Sequence, residues 1–191
     1  RDCMVREKQE QLETLAERIR KQGIHVETQV LIGRTSVEII RQVLRGDHDL
    51  VIRVAKGKDS RRKGFFGTTG VRLLQECPCA VWLVARAQSH QYEHVMVCID
   101  IESGDSVDDE LNDKVYQSAS LVSQYNRSKL SIVHAWTIFG EEFLMARTRQ
   151  DEFARVLKEI HDRFTKMFDK FLQRHGSNAQ AKNVFMLKGN A

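Results

Sequence analysis

The alternation of apolar and polar positions is clearest between Asp49 and Val84. Leu50-Val51-Ile52-Arg53-Val54-Ala55 predicts a strand, and its nearly unbroken apolar run predicts cover on both faces, as parallel strands have. A basic, glycine-containing loop follows from Lys56 to Phe66, then a turn into a helix at Gly67-Thr68-Thr69. Val71, Leu73 and Leu74 belong to that helix, which must end before Pro78 because proline cannot continue it. Ala80 to Val84 is the next strand. Strand, glycine loop, helix and strand in succession present backbone N–H groups to a phosphate. The first N–H groups of a helix lack an internal partner and carry partial positive charge, so the loop is a candidate anion site.

Upstream, Val5, Leu12, Leu15, Ala16 and Ile19 recur at helical spacing and predict a helix ending at Gly23. The β-branched and apolar stretch Ile24 to Ile32 predicts a strand that stops at Gly33. Thr35 with Glu38 has the spacing of a capping box, and Val37, Ile40, Val43 and Leu44 mark a helix closed by Gly46. Downstream, polar Ala85 to Glu93 reads as a linker. Strand His94 to Ile101 follows, then an acidic loop Glu102 to Asp109 and a helix with Leu111, Val115, Ala119 and Val122 inward. A strand over Leu130 to Thr137 precedes the longest helix, whose stripe runs Phe153, Val156, Leu157, Ile160, Phe164, Met167, Phe168, Phe171 to about His175. A last strand covers roughly Lys182 to Leu187. Helices alternating with strands predict an α/β fold with a parallel sheet. Val30-Leu31-Ile32-Gly33-Arg34 and Met186-Leu187-Lys188-Gly189-Asn190 each follow a helix, a glycine and a strand, and predict an internal repeat. The matching glycines lie 156 positions apart (189 less 33), about one domain.

Composition changes this picture little. The chain's 191 residues, 41% hydrophobic, suffice for a real core. No window approaches 18 uncharged apolar residues and the first residues are not a signal peptide, so the expectation is a soluble cytoplasmic protein, without membrane contact, whose Cys3, Cys77, Cys79 and Cys98 are thiols. A net charge of +4 is weak evidence for an anionic partner. Cys77-x-Cys79 is tighter than a zinc knuckle, no second pair exists, and no two histidines have metal-pair spacing on an expected helix, so no metal is expected. No nucleophile elbow or G-x4-G-K-S/T loop occurs, and no base or metal cage suggests turnover, so no enzyme is expected. The basic loop lacks interleaved aromatics, which argues against nucleic acid.

Gly57, nine residues, then Gly67-Thr68 resembles the latter part of the Gly-x2-Gly-x9-Gly-Ser/Thr nucleotide motif of universal stress proteins. Cys77-Pro78-Cys79-Ala80-Val81-Trp82-Leu83-Val84 resembles that family's last helix-to-strand passage, Val97-Cys98-Ile99-Asp100 its first strand with the terminal aspartate, and Ile132-Val133-His134-Ala135 its second strand. The layout is similar to the tandem, two-domain branch. The resemblance implies a Rossmann-like, adenine nucleotide alpha hydrolase-like fold with strand order 3-2-1-4-5. Residues 1–87 would be the latter part of a first domain, 88–92 a linker, and 93–191 the earlier part of a second, the chain being a fragment or ordered part of a longer tandem protein. Neither half has all five strands, but together they would complete one sheet, within one chain or between two. The nine residues Ala85 to Glu93 reach about 30 Å at about 3.3 Å each, more than a strand length.

The resemblance implies a nucleotide site at Gly57, Gly67, Thr68, Asp100 and Ala135. The glycines would let backbone approach the phosphates, Thr68 would supply a hydroxyl and the helix's first N–H, Asp100 would contact base and ribose, and Ala135 would lie beside the adenine. Each residue also fits a plain loop, cap or turn. Lys56, Lys58, Arg61, Arg62 and Lys63 would neutralise phosphates or simply be solvated, and His134 reads as a packed strand histidine. Two functions of different class follow. One is a regulatory module of the stress response that binds ATP or another anionic ligand and associates as a homo-oligomer or domain pair through the edge strand Ala80 to Val84, with Trp82 as a contact. The alternative is an interaction or structural protein on the same fold without nucleotide binding, because Val54 stands where the first motif glycine would be.

Overall fold

The computed structural model describes residues 2–55, 67–84, 91–101 and 106–189. The chain divides into two compact units, Arg1–Gln88 and Ser89–Ala191, each built of helices and parallel strands.

In the first unit, α1 (Asp2–Arg20) and α2 (Thr35–Gly46) precede β1 (Leu50–Val54), α3 (Gly67–Glu76) and β2 (Ala80–Val84). β1 and β2 pair in parallel from Leu50 with Ala80 to Val54 with Val84, and the Ala55 N–H extends the ladder to the Val84 carbonyl at 2.7 Å. Parallel neighbours need a crossover, and α3 supplies it. α3 packs on β2 and on α2, with Leu73 fully buried and Val43 and Ser36 buried on α2. Cover on both faces of β1 is not found. Val51 and Arg53 are half-buried while Leu50, Ile52 and Val54 are exposed, Ile52 at 62%. The apolar run suits two helix layers, and among the described residues this sheet has a buried side and an open one.

The strand expected over Ile24 to Ile32 is also absent; 24–32 carry no ladder. A parallel strand needs a neighbour, and β1 and β2 pair only with each other among the described residues. α1 ties this segment down by side chains instead. Arg20 Nε and Nη2 donate to the Val26 carbonyl at 2.9 and 2.7 Å, and Gln9 Nε2 donates to the Thr28 hydroxyl at 2.7 Å. The capping box is likewise not formed. Arg34 is the N-cap and Thr35 the first helical residue, so the Glu38 carboxylate accepts from Arg41 at 2.7 Å instead. At the other end Asp47, not Gly46, takes the left-handed conformation, at φ 50°.

The second unit runs β3 (His94–Cys98), α4 (Ser106–Asn126), β4 (Lys129–Trp136), α5 (Glu141–Arg147), α6 (Gln150–Arg174) and β5 (Val184–Lys188). Its three strands are parallel in the order β3-β4-β5. This order is consistent with the 3-2-1 part of the expected 3-2-1-4-5, and the β1-β2 pair of the first unit with its 4-5 part. The core joins Val97, Ile99, Ile101 and Ile132 of the sheet region to Phe168, Phe171 and Leu172 of α6. Packing therefore selects the C-terminal half of the long stripe; Val156, nearer its start, is exposed. His134 is completely buried, its Nδ1–H donating to the Ile99 carbonyl at 2.9 Å beside the rings of Phe164 and Phe168.

The expected inward face of α4 is rotated by about one residue. Of the expected face, Ala119 packs on the core and Val122 is half-buried, but Leu111 and Val115 are 58% and 38% exposed, whereas Asn112 and Ser123 are buried and Tyr116 packs on the core. Polar partners set this rotation: Asn112 bonds the backbone of Asp100 and Ser123 Oγ donates to the Ser128 carbonyl at 2.8 Å. His175, after α6, meets Asp113 of α4 at 2.8 Å and packs on Tyr116 and Phe171.

Candidate functional site

The first unit's candidate site is the entry into α3. Gly67 opens the helix at φ 65°, in the left-handed region where a Cβ meets the following carbonyl oxygen, so the turn requires glycine. Thr68 is exposed and Thr69 half-exposed in the first turn, and no acidic side chain lies there. The orphan N–H groups and positive end of the dipole are thus uncompensated by any carboxylate of the turn itself. Arg53, one residue before the end of β1, carries a buried Nη1 with no hydrogen-bond partner among the described residues. Val54, which stands in place of the first motif glycine, is 54% exposed. Gly57 and the cations Lys56, Lys58, Arg61, Arg62 and Lys63 lie outside the described residues.

The second unit carries the other expected positions. The Ile99 N–H continues the β3–β4 ladder to the Val133 carbonyl at 2.9 Å, so Asp100 and Ala135, each two residues past the paired Cys98 and Val133, come together at the carboxyl end of neighbouring parallel strands. Open α/β sheets bind ligands outside that end. Asn112 fixes Asp100 there: its Oδ1 accepts from the Asp100 N–H at 3.1 Å and its Nδ2 donates to the Asp100 carbonyl. Beyond β4 and β5 lies an open cavity of about 960 Å³, lined among others by Thr137, Phe139, Glu141, Met145, Lys188 and Gly189. Lys188 pairs with Glu141 across it. A second, smaller depression of about 510 Å³ is lined by Glu159, Asp162, Arg163, Lys166 and Met167 of α6.

The two helix entries differ in charge. The first turn of α4 holds Asp108 and Asp109, with Asp109 paired to Arg174 at 3.2 Å, so carboxylates occupy the end that α3 leaves open. No group of three His, Cys, Asp or Glu among the described residues is placed to hold a metal ion. No described helix is long and apolar enough to cross a membrane. Sequence reasoning missed Asn112; its signal was a buried polar residue at helical spacing with Tyr116, Ala119 and Ser123.

Residues 3–85 match the universal stress protein family. Universal stress protein E of Salmonella typhi and of Escherichia coli K12 are each 29% identical to this chain over 118 residues, 61% of its length. The chain spans only 38% and 37% of those relatives. Its fold is similar to a putative universal stress protein from Pseudomonas aeruginosa UCBPP-PA14, with TM-score 0.70 at 16% identity over 94% of this chain and 58% of that one. A functionally unknown protein from Pseudomonas aeruginosa PAO1 matches with the same TM-score and coverage at 17% identity. The chain thus resembles the universal stress protein family in sequence over residues 3–85, and its α/β fold of parallel strands is similar to that of the two solved structures.

Proposed function

We propose that this chain is part of a tandem universal stress protein, a cytoplasmic regulatory module of the stress response that binds ATP or another anionic ligand and does not turn it over. The observation that supports the reading is the entry to α3, where Gly67 at φ 65° presents a carboxylate-free helix N-terminus in the crossover between the parallel strands β1 and β2. Gly57, Gly67 and Thr68 are the phosphate-side residues of the proposal, with the loop cations screening charge. Asp100 and Ala135, near the strand ends of the second unit, are the base-side residues that the resemblance implies. The tandem layout is supported by the repeat, since Gly33 and Gly189 share one unusual backbone geometry, φ 156° and 155°. Association would use the outer edge of β2, which pairs with β1 on its other side.

Isothermal titration with ATP tests this reading. The expected result is micromolar binding that Gly67→Val abolishes; absence of heat at millimolar ATP overturns it. Val54 favours the second reading, an interaction protein that has lost nucleotide binding, because its exposed branched side chain occupies the place of a glycine. Under that reading the native chain gives no heat and Val54→Gly gains affinity.

A further inference from the structure

We propose that Cys77 and Cys79 form a dithiol site that closes reversibly to a disulfide by exchange with a small-molecule disulfide of the glutathione type. This inference is independent of the ligand reading above. The two Sγ atoms face each other at 3.7 Å across Pro78, and both cysteines are half-buried. Closing to a bond of about 2.05 Å moves the sulfurs by less than 2 Å. Residues two apart reach a Cα separation of about 7 Å only when fully extended, and the chain bends at Pro78 and Cys79, which shortens that separation toward the disulfide range of about 4.4–6.8 Å.

The surroundings hold the pair in place. The Cys77 N–H donates to the Leu73 carbonyl at 3.0 Å, which anchors it to the last turn of α3, and Leu73 is fully buried. Cys79 immediately precedes β2 and its thiol donates to the Ala80 carbonyl at 3.6 Å. Pro78 fixes φ between them, so little chain freedom is lost on closing. Two thiolates alone make an incomplete metal shell, and no described His, Cys, Asp or Glu completes it, so thiol chemistry is the use this geometry favours. Cys3 and Cys98 are exposed and lie on α1 and β3.

The exchange balances in two steps. The Cys77 thiolate attacks one sulfur of the small disulfide, whose S–S bond breaks to release one thiolate and leave a mixed disulfide on Cys77. The Cys79 thiolate then attacks the Cys77 sulfur, forms the internal S–S bond and expels the second small thiol. Two protein thiols are oxidised by two electrons and one small disulfide is reduced to two thiols. Burial, with the neighbouring Cys77, pushes the Cys79 thiol up, which fits Cys79 as the resolving rather than the attacking group. A ring closed over one intervening residue is strained, so the bond is labile and belongs with regulatory rather than structural disulfides. It would set the joint between α3 and β2.

The test is a peptide map of the whole native chain after equilibration in glutathione buffers of increasing oxidised fraction, acid quenching and alkylation. Trypsin releases Leu73 to Arg86 as one peptide holding Cys77 and Cys79 and neither other cysteine. The expected result is that this peptide loses both alkylation sites together and two hydrogens, and recovers them in excess reduced glutathione. Cys79→Ser should instead trap glutathione on Cys77. A wild-type peptide that stays doubly alkylated in oxidised glutathione, that stops at a glutathione adduct, or that cross-links to Cys3 or Cys98 overturns the proposal, and none of these outcomes depends on a variant folding.

Discussion

Replacing Gly67 by valine probes the entry to α3 most sharply. At φ 65° the residue sits close to the ideal left-handed value, where a side chain costs about 1–2 kcal/mol per residue and a β-branched one more. The alternative, rotating Gly67 out of that region, redirects the chain into α3, whose Leu73 is fully buried beneath it. The first unit should therefore lose at least about 1–2 kcal/mol in urea unfolding followed by circular dichroism. Gly67→Asn serves as the matched control, since asparagine tolerates the left-handed region far better, and should restore most of the stability. If valine and asparagine variants unfold at the wild-type midpoint, Gly67 does not hold that conformation, and the turn cannot present the N–H groups of Thr68 and Thr69 as described.

Phe168→Ala, at a side chain 1% exposed and packed against His134 of β4, should cost about 3–5 kcal/mol in the unfolding of the second unit. Asn112→Ala removes the two hydrogen bonds that its amide makes to the Asp100 backbone and should cost about 1–3 kcal/mol, with faster amide exchange at Asp100 as the specific readout. Hydrogen bonds from Arg20 and then from Thr28 hold the Glu13 carboxyl below its usual range. Because the folded pKa is depressed, the stability it contributes is present above the unfolded carboxylate pKa and is lost as pH falls through the lower, folded value. Glu13→Gln should flatten that acid limb in pH-dependent thermal melts. The thiol of Cys79, raised by burial and by Cys77, should be alkylated by iodoacetamide with an inflection above the ordinary thiol range.

Much of this fold is legible in the residues. Helix periodicity finds α1, α2, α3 and α6, and Pro78 ends α3 where expected. What periodicity cannot supply is the partner. The sequence of Ile24 to Ile32 is as strand-like as that of β5, yet β5 lies beside β4 while Val26 and Thr28 hydrogen-bond side chains of α1. The same dependence on neighbours leaves one face of β1 open among the described residues despite its apolar run. On α4, Leu111 and Val115 form a good helical stripe, but the hydrogen bonds of Asn112 to Asp100 turn a different face inward. α5, seven residues after Gly140, is too short for periodicity to reveal. At the candidate site, the glycine at 67 is readable as a turn, and Asp100 and Ala135 as strand-end positions. Their coming level depends on the parallel register of β3 and β4, which no local pattern encodes.

The most direct test of the central claim, an anion held on the first turn of α3, is amide NMR of the chain titrated with ATP and, in parallel, with inorganic triphosphate. Saturable shifts at the amides of Thr68 and Thr69 with both ligands are the predicted result. Amides of Thr68, Thr69 and Gly70 that remain unmoved at saturating concentrations of either ligand would contradict it.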